Sequence, residues 1–129
     1  MEDIEYKRER RHQWRLERLG SNDLQCLFCP EGDPCCLEQH HLSGKRFGQV
    51  LVTVCRNHHR KLSDKQKDHP PAGPGAPTPL ERLGRLLLGI ADALELLNIP
   101  QQLLDPIRDA AFQLINIKSV ATSAEGQPS

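Results

Sequence analysis

Two short pairs of side chains, Cys26-x2-Cys29 and Cys55-x2-His58, constrain this chain more than any other feature. Each spacing turns two soft ligands toward one point, and 25 residues separate the pairs. Two such pairs close a tetrahedral Zn²⁺ site. In a module this small, metal binding would supply much of the folding energy. Cys35 and Cys36 are left over. Neighbours on a strand point to opposite faces, so at most one could replace Cys26 or Cys29 as a ligand. The plainer reading makes them small strand residues.

The cysteine count supports this reading. Five cysteines cannot pair off in a closed disulfide framework. The charged N-terminus lacks the apolar segment of a signal peptide. No run of eighteen apolar residues is present to span a membrane. Together these predict a reducing, intracellular and cytoplasmic setting, where cysteines serve as ligands or buried thiols.

Charge excludes one easy argument. Lys plus Arg equals Asp plus Glu at 17 each, so the chain has no overall attraction for polyanions. Residues 1–68 carry 13 basic and 11 acidic groups and residues 69–129 carry 4 and 6, a difference of +2 against −2. Any electrostatic function must therefore come from local clusters.

The predicted organisation is α+β: a small zinc module followed by a C-terminal helical hairpin. Residues 1–22 read as a charged N-terminal helix, stopped by Gly20, Ser21 and Asn22. Its charges are too mixed in number to decide between a duplex-binding and a merely solvated helix. His12 and His69 read as surface histidines. Residues 23–68 hold every cysteine, with a strand at 50–55, a partner strand at 36–41 and a basic helix from Asn57 to Gln66. Residues 69–78 form a Pro/Gly-rich linker, the clearest boundary in the chain.

Residues 79–118 read as the hairpin. Thr78 caps its first helix, Pro79 takes the first helical position and Glu81 completes a capping box. Leu80, Leu83, Leu87, Ile90, Leu94 and Leu97 follow the spacing of a helix–helix seam. Asn98 and Pro100 end that helix. Asp105 and Pro106 start the next, with Ile107, Ala110, Leu114 and Ile117 in the seam. Residues 119–129 form a flexible tail, frayed from about Thr122. So short a hairpin leaves apolar surface to cover, and a second copy is the expected cover, giving a homodimer through residues 79–118.

Zinc leaves His40, His41 and His59 unused, each next to a ligand-bearing segment. The order Cys26-x2-Cys29, Glu38-Gln-His40-His41, a Gly-containing loop and VTVCRNHHRKLSD resembles the HNH endonucleases over about residues 24–66. That family folds as ββα-metal: two antiparallel strands and a helix around one catalytic divalent ion. The resemblance implies that His41 is the general base. His40 and His59 would be the catalytic metal ligands, and Cys26, Cys29, Cys55 and His58 the structural zinc ligands. The family usually carries an Asn a few residues before the third zinc ligand. Here the stretch is Gly48-Gln-Val-Leu-Val-Thr-Val, where Gln49 substitutes or the role is absent.

A histidine base suits phosphodiester hydrolysis near neutral pH. Two imidazole ligands favour Mn²⁺, Co²⁺, Ni²⁺ or Zn²⁺ over Mg²⁺ as the catalytic ion. Lys45, Arg46, Arg56, Arg60 and Lys61 surround these histidines and are the expected nucleic-acid contacts, with double-stranded DNA the expected substrate and no membrane partner. A second reading is a non-catalytic zinc module that binds nucleic acid or protein, which the missing Asn favours. A third is an assembly adaptor working through the hairpin.

Overall fold

The computed structural model describes residues 2–20 and 24–125. Ser21 and Asn22 of the expected helix stop, and the end of the expected tail at 126–129, lie outside the described residues. The described residues form a small α+β fold with four α-helices and a two-stranded antiparallel sheet. The elements are α1 (Glu2–Leu19), a 3-10 turn (Pro34–Cys36), β1 (Leu37–His41), β2 (Leu51–Cys55), α2 (Arg56–Gln66), α3 (Pro79–Leu96) and α4 (Gln101–Glu125). No helix among the described residues is long and apolar enough to cross a membrane.

The chain divides into two compact units, each discontinuous in sequence: Met1–His40 with Leu51–Lys61, and His41–Val50 with Leu62–Ser129. The division falls inside β1 and α2, not at the Pro/Gly segment.

In the first unit, α1 ends where Gly20 adopts φ +81 and its N–H meets the Leu16 carbonyl at 2.9 Å. Glycine takes this left-handed conformation without a Cβ clash. Leu19 is buried, and its carbonyl accepts from Gln39 Nε2 at 3.3 Å. Thr53 Oγ1 in turn donates to Gln39 Oε1 at 3.4 Å. The end of α1 is thus tied to both strands. Asp33 caps the 3-10 turn by accepting the Cys35 N–H at 2.9 Å. Cys35 and Cys36 therefore lie in a turn, and β1 starts one residue later than expected. Leu37 and Val54 are fully buried.

In the second unit, β1 runs into a turn. The Gly44 N–H (φ +92) meets the His41 carbonyl at 3.0 Å, and Leu42 N–H closes onto the Val50 carbonyl at 3.0 Å. Thr78 caps α3 as expected, accepting the Glu81 N–H at 3.1 Å. At the other end, Asn98 adopts φ +65, with Asn98 N–H on Glu95 O at 3.0 Å and Ile99 N–H on Leu94 O at 3.1 Å. This is a Schellman stop with Asn in the glycine position. Helix α4 begins at Gln101, well before the expected Asp105–Pro106 start, and runs through Glu125. Pro106 sits in its second turn, where its missing N–H removes one ladder bond.

The leucine seam is corrected. Leu80, Leu83 and Leu97 are exposed, while α3 buries Gly84, Arg85, Leu88, Gly89, Ala91 and Asp92. Leucine spacing identifies an apolar stripe, but small residues decide where backbones meet. A Cβ on Gly84 would lie 2.7 Å from the Ala111 carbonyl of α4, and one on Gly89 would lie 1.8 Å from the Leu42 carbonyl. The helices pack through Leu88, Ala111 and Ile115, with Leu87 of the expected seam half-buried against them.

The Pro/Gly segment is not a loose tether. Arg46 Nη2 donates to the carbonyls of Gly73 at 3.2 Å and Gly75 at 2.5 Å. Arg85, buried and ion-paired with Glu81 at 3.4 Å, donates to the carbonyls of Pro70 and Pro71. Its guanidinium lies 4.4 Å over the Phe47 ring, and its Nε has no partner. Proline-rich backbone cannot pair with itself, so two arginines satisfy its carbonyls.

His69 is likewise not a surface histidine. Its side chain is 11% exposed, and Nε2 lies 2.7 Å from Asp92 Oδ2. His12 is exposed, as expected.

Candidate metal centre

The loop after α1 and the junction of β2 with α2 bring the four expected zinc ligands together. One donor atom from each of Cys26, Cys29, Cys55 and His58 lies within 4.8 Å of all the others. The edges are those of a small tetrahedron. Cys29 Sγ and Cys55 Sγ are 3.8 Å apart, and Cys26 Sγ and His58 Nδ1 are 3.6 Å apart. Ligands about 2.3 Å (sulfur) and about 2.0 Å (nitrogen) from a tetrahedral ion would be separated by about 3.8 and about 3.5 Å. Cys55 Sγ and His58 Nδ1 are closer, at 3.1 Å. Three thiols and one imidazole are a zinc donor set, and the residues fit the ion. Among the described residues, this is the one group of three or more such side chains so gathered.

Local backbone prepares these ligands. The Phe28 N–H lies 3.4 Å from Cys26 Sγ, and Leu27 N–H bonds the Thr53 carbonyl at 3.0 Å, fastening the loop to β2. Burial pushes the Cys26 thiol up, but backbone N–H groups of Cys55 and Phe28 outweigh it, so its pKa is lowered. His58 is also lowered, by burial and by the charge of Lys61, which favours the neutral imidazole that a metal needs. Cys35 and Cys36 stand outside the cluster, so the alternative ligand choices fall away.

In the same unit, Glu38, His40 and His59 form a second group. Glu38 and His40 are two apart on β1 and share one face of the strand. His59, on the first turn of α2, meets both. His59 Nδ1 lies 3.3 Å from Glu38 Oε2, and the His40 and His59 rings stand edge to face with centroids 5.2 Å apart. His40 is 3% exposed, whereas the His59 side chain is 29% exposed.

The remaining expected site residues are scattered. His41 belongs to the second unit, and its carbonyl accepts from Gln66 Nε2 at 2.9 Å. Arg56 is exposed and 3.9 Å from Glu38 Oε1. Arg60 and Lys61 are exposed on α2. Lys45 and Arg46 lie in the second unit, and the Arg46 guanidinium is engaged by the Gly73 and Gly75 carbonyls. Gln49 is exposed there. Glu38 was not singled out from the sequence. Its i, i+2 relation to His40 on a predicted strand was the available signal. No family model, curated protein or solved structure matches this chain. What the site itself defines is a Cys₃His metal-binding centre.

Proposed function

We propose that this chain is a zinc-stabilised, metal-dependent endonuclease of the HNH kind, built as a ββα-metal zinc module followed by a helical hairpin. The observation that carries the reading is the meeting of His40, His59 and Glu38 in the unit that also holds the Cys₃His cluster. A structural zinc site needs only its four ligands. Two further histidines, one buried and one held by a carboxylate, call for another role.

His40 and His59 would hold a divalent ion, which when bound supplies a Lewis acid for a phosphate oxygen. His41 would take the proton of the attacking water as general base. Glu38 Oε2 lies 3.3 Å from His59 Nδ1 and would fix the tautomer by accepting the Nδ1–H. Arg56, Arg60 and Lys61 would steady the phosphates of double-stranded DNA. The Glu38–His59 contact also favours a second assignment, in which His59 itself is the base, oriented by Glu38.

Plasmid nicking measured across Mn²⁺, Co²⁺, Ni²⁺ and Mg²⁺ tests the reading. His41→Ala is expected to lose about 10²–10⁴-fold in rate with zinc content intact. His59→Ala is expected to lose activity that raised metal concentration partly restores. If His41→Ala nicks normally while His59→Ala is dead at every metal concentration, His59 is the base. A wild-type protein that cleaves no nucleic acid in any metal overturns the endonuclease reading in favour of a binding module.

A further inference from the structure

We propose that one face of α1 is a docking surface for the phosphate backbone of a nucleic-acid duplex. The proposal shares the polyanion partner of the reading above but not its cleavage chemistry. Helix α1 carries six basic and five acidic side chains, a near balance that conceals their arrangement. At about 100° per residue, Lys7, Arg8, Arg11, Arg15 and Arg18 fall within an arc of about 100°. Glu5, Glu9 and Glu17 fall within about 120° on the opposite side. Asp3 and Arg10 lie at the seams, and Asp3 pairs with Lys7 at 3.4 Å.

This segregation does not serve the helix itself. Basic residues recur at Lys7, Arg11, Arg15 and Arg18, three and four apart, where like charges repel and destabilise a helix. Arg8 and Arg11 are exposed and form no ion pair among the described residues. A row of phosphates would relieve that repulsion. The basic face extends about 16 Å along the axis, over which a duplex presents one charge per about 1.7 Å.

One aromatic residue accompanies the face: Trp14 is 62% exposed beside it with the Arg18 guanidinium 5.5 Å above its ring. Arginine held over an aromatic ring is presented in a fixed direction, as a phosphate contact requires. A lipid surface is the poorer fit, because Ile4, Tyr6, Trp14, Leu16 and Leu19 are scattered around the helix and make no apolar face to insert.

The test uses the full chain, with zinc retained and no other divalent metal added. A short fluorescein-labelled duplex is titrated and read by anisotropy across a salt series. Arg8→Gln with Arg11→Gln should weaken binding on the order of tenfold and reduce the slope of log affinity against log salt by about 1.8, or about 0.9 for each lost phosphate contact. Glu5→Gln with Glu9→Gln, on the opposite face, should leave the slope unchanged. A wild-type chain that binds through α1 but cleaves no nucleic acid in any metal sinks the nuclease reading and leaves this one standing. Unchanged affinity and slope in the arginine variant overturn the proposal. So does stronger binding to anionic vesicles than to the duplex. Light scattering that shows self-association lost equally on neutralising either face would assign the faces to each other and also overturn it.

Discussion

Glu38 Oε2 and His59 Nδ1 lie 3.3 Å apart, joining β1 to the first turn of α2 beside the cysteine cluster. A carboxylate on one ring nitrogen dictates what the other can do, because it fixes which nitrogen carries the proton. In the proposed mechanism Glu38 would be a positioning residue for His59. Glu38→Gln keeps the size and loses the charge. Its expected effect is a 10–100-fold fall in nicking rate with a raised metal requirement, at unchanged zinc content. Equal metal dependence in variant and wild type would reduce the contact to a surface ion pair.

Removing one thiol tests the Cys₃His centre. Cys55 is buried at the end of β2, where it would ligate the ion, and has Cys29 Sγ at 3.8 Å and His58 Nδ1 at 3.1 Å. Purified wild type should carry one zinc per chain through dialysis. Cys55→Ser should lose the ion and the fold of the first unit, since the ion's binding energy is folding energy. Cys35→Ser, outside the cluster, should retain both. A zinc-free wild type, or a Cys55→Ser variant that melts like it, contradicts the assignment.

Acid should weaken the second unit through Glu95. Lys65 Nζ lies 2.6 Å from its Oε2, and Gln101 and Arg108 add donors. The Lys65 ammonium chiefly lowers its carboxyl from 4.5 to about 2, with Gln101 and Arg108 adding to the effect against partial burial. A folded-state pKa below the unfolded one means stability that is fully present above about pH 4.5 and is lost as pH falls toward about 2. Discounted for the partial exposure of both side chains, the contribution is about 1–2 kcal/mol. Urea unfolding of Glu95→Gln should lack that part of the pH dependence between those values. Parallel curves for the two proteins would show that the pair contributes nothing.

The exposed leucines of α3 predict self-association. Leu80, Leu83 and Leu97 lie on the stripe that the spacing identified, and α4 adds Leu103, Phe112 and Ile117 to the exposed apolar surface. We propose that a second copy covers them, giving a two-fold homodimer. Light scattering at tens of micromolar should report a dimer. Leu83→Glu with Leu97→Glu should convert it to a folded monomer by circular dichroism. A wild-type monomer at that concentration removes the proposal.

The short-range chemistry was legible in the residues alone. Ligand spacing named Cys26, Cys29, Cys55 and His58, because two-residue gaps dictate convergence without help from the rest of the chain. Thr78 and Pro79 marked the start of α3 for the same reason, since a cap acts within one turn. Alternating and helical patterns placed the strands and α1 to within a residue or so. Tertiary structure alone decided the rest. It aimed Glu38 at His59, set His69 on Asp92, and used Arg46 and Arg85 to hold a Pro/Gly segment that composition described as loose. It also turned α3 so that Gly84 and Gly89 make the close backbone approaches and Leu88 is buried, while Leu80, Leu83 and Leu97 stay exposed. The physical reason is common to these cases. A local pattern states what a side chain can do, but a partner many residues away, and the backbone distance at which it packs, depends on how the whole chain shares out its volume and its hydrogen bonds.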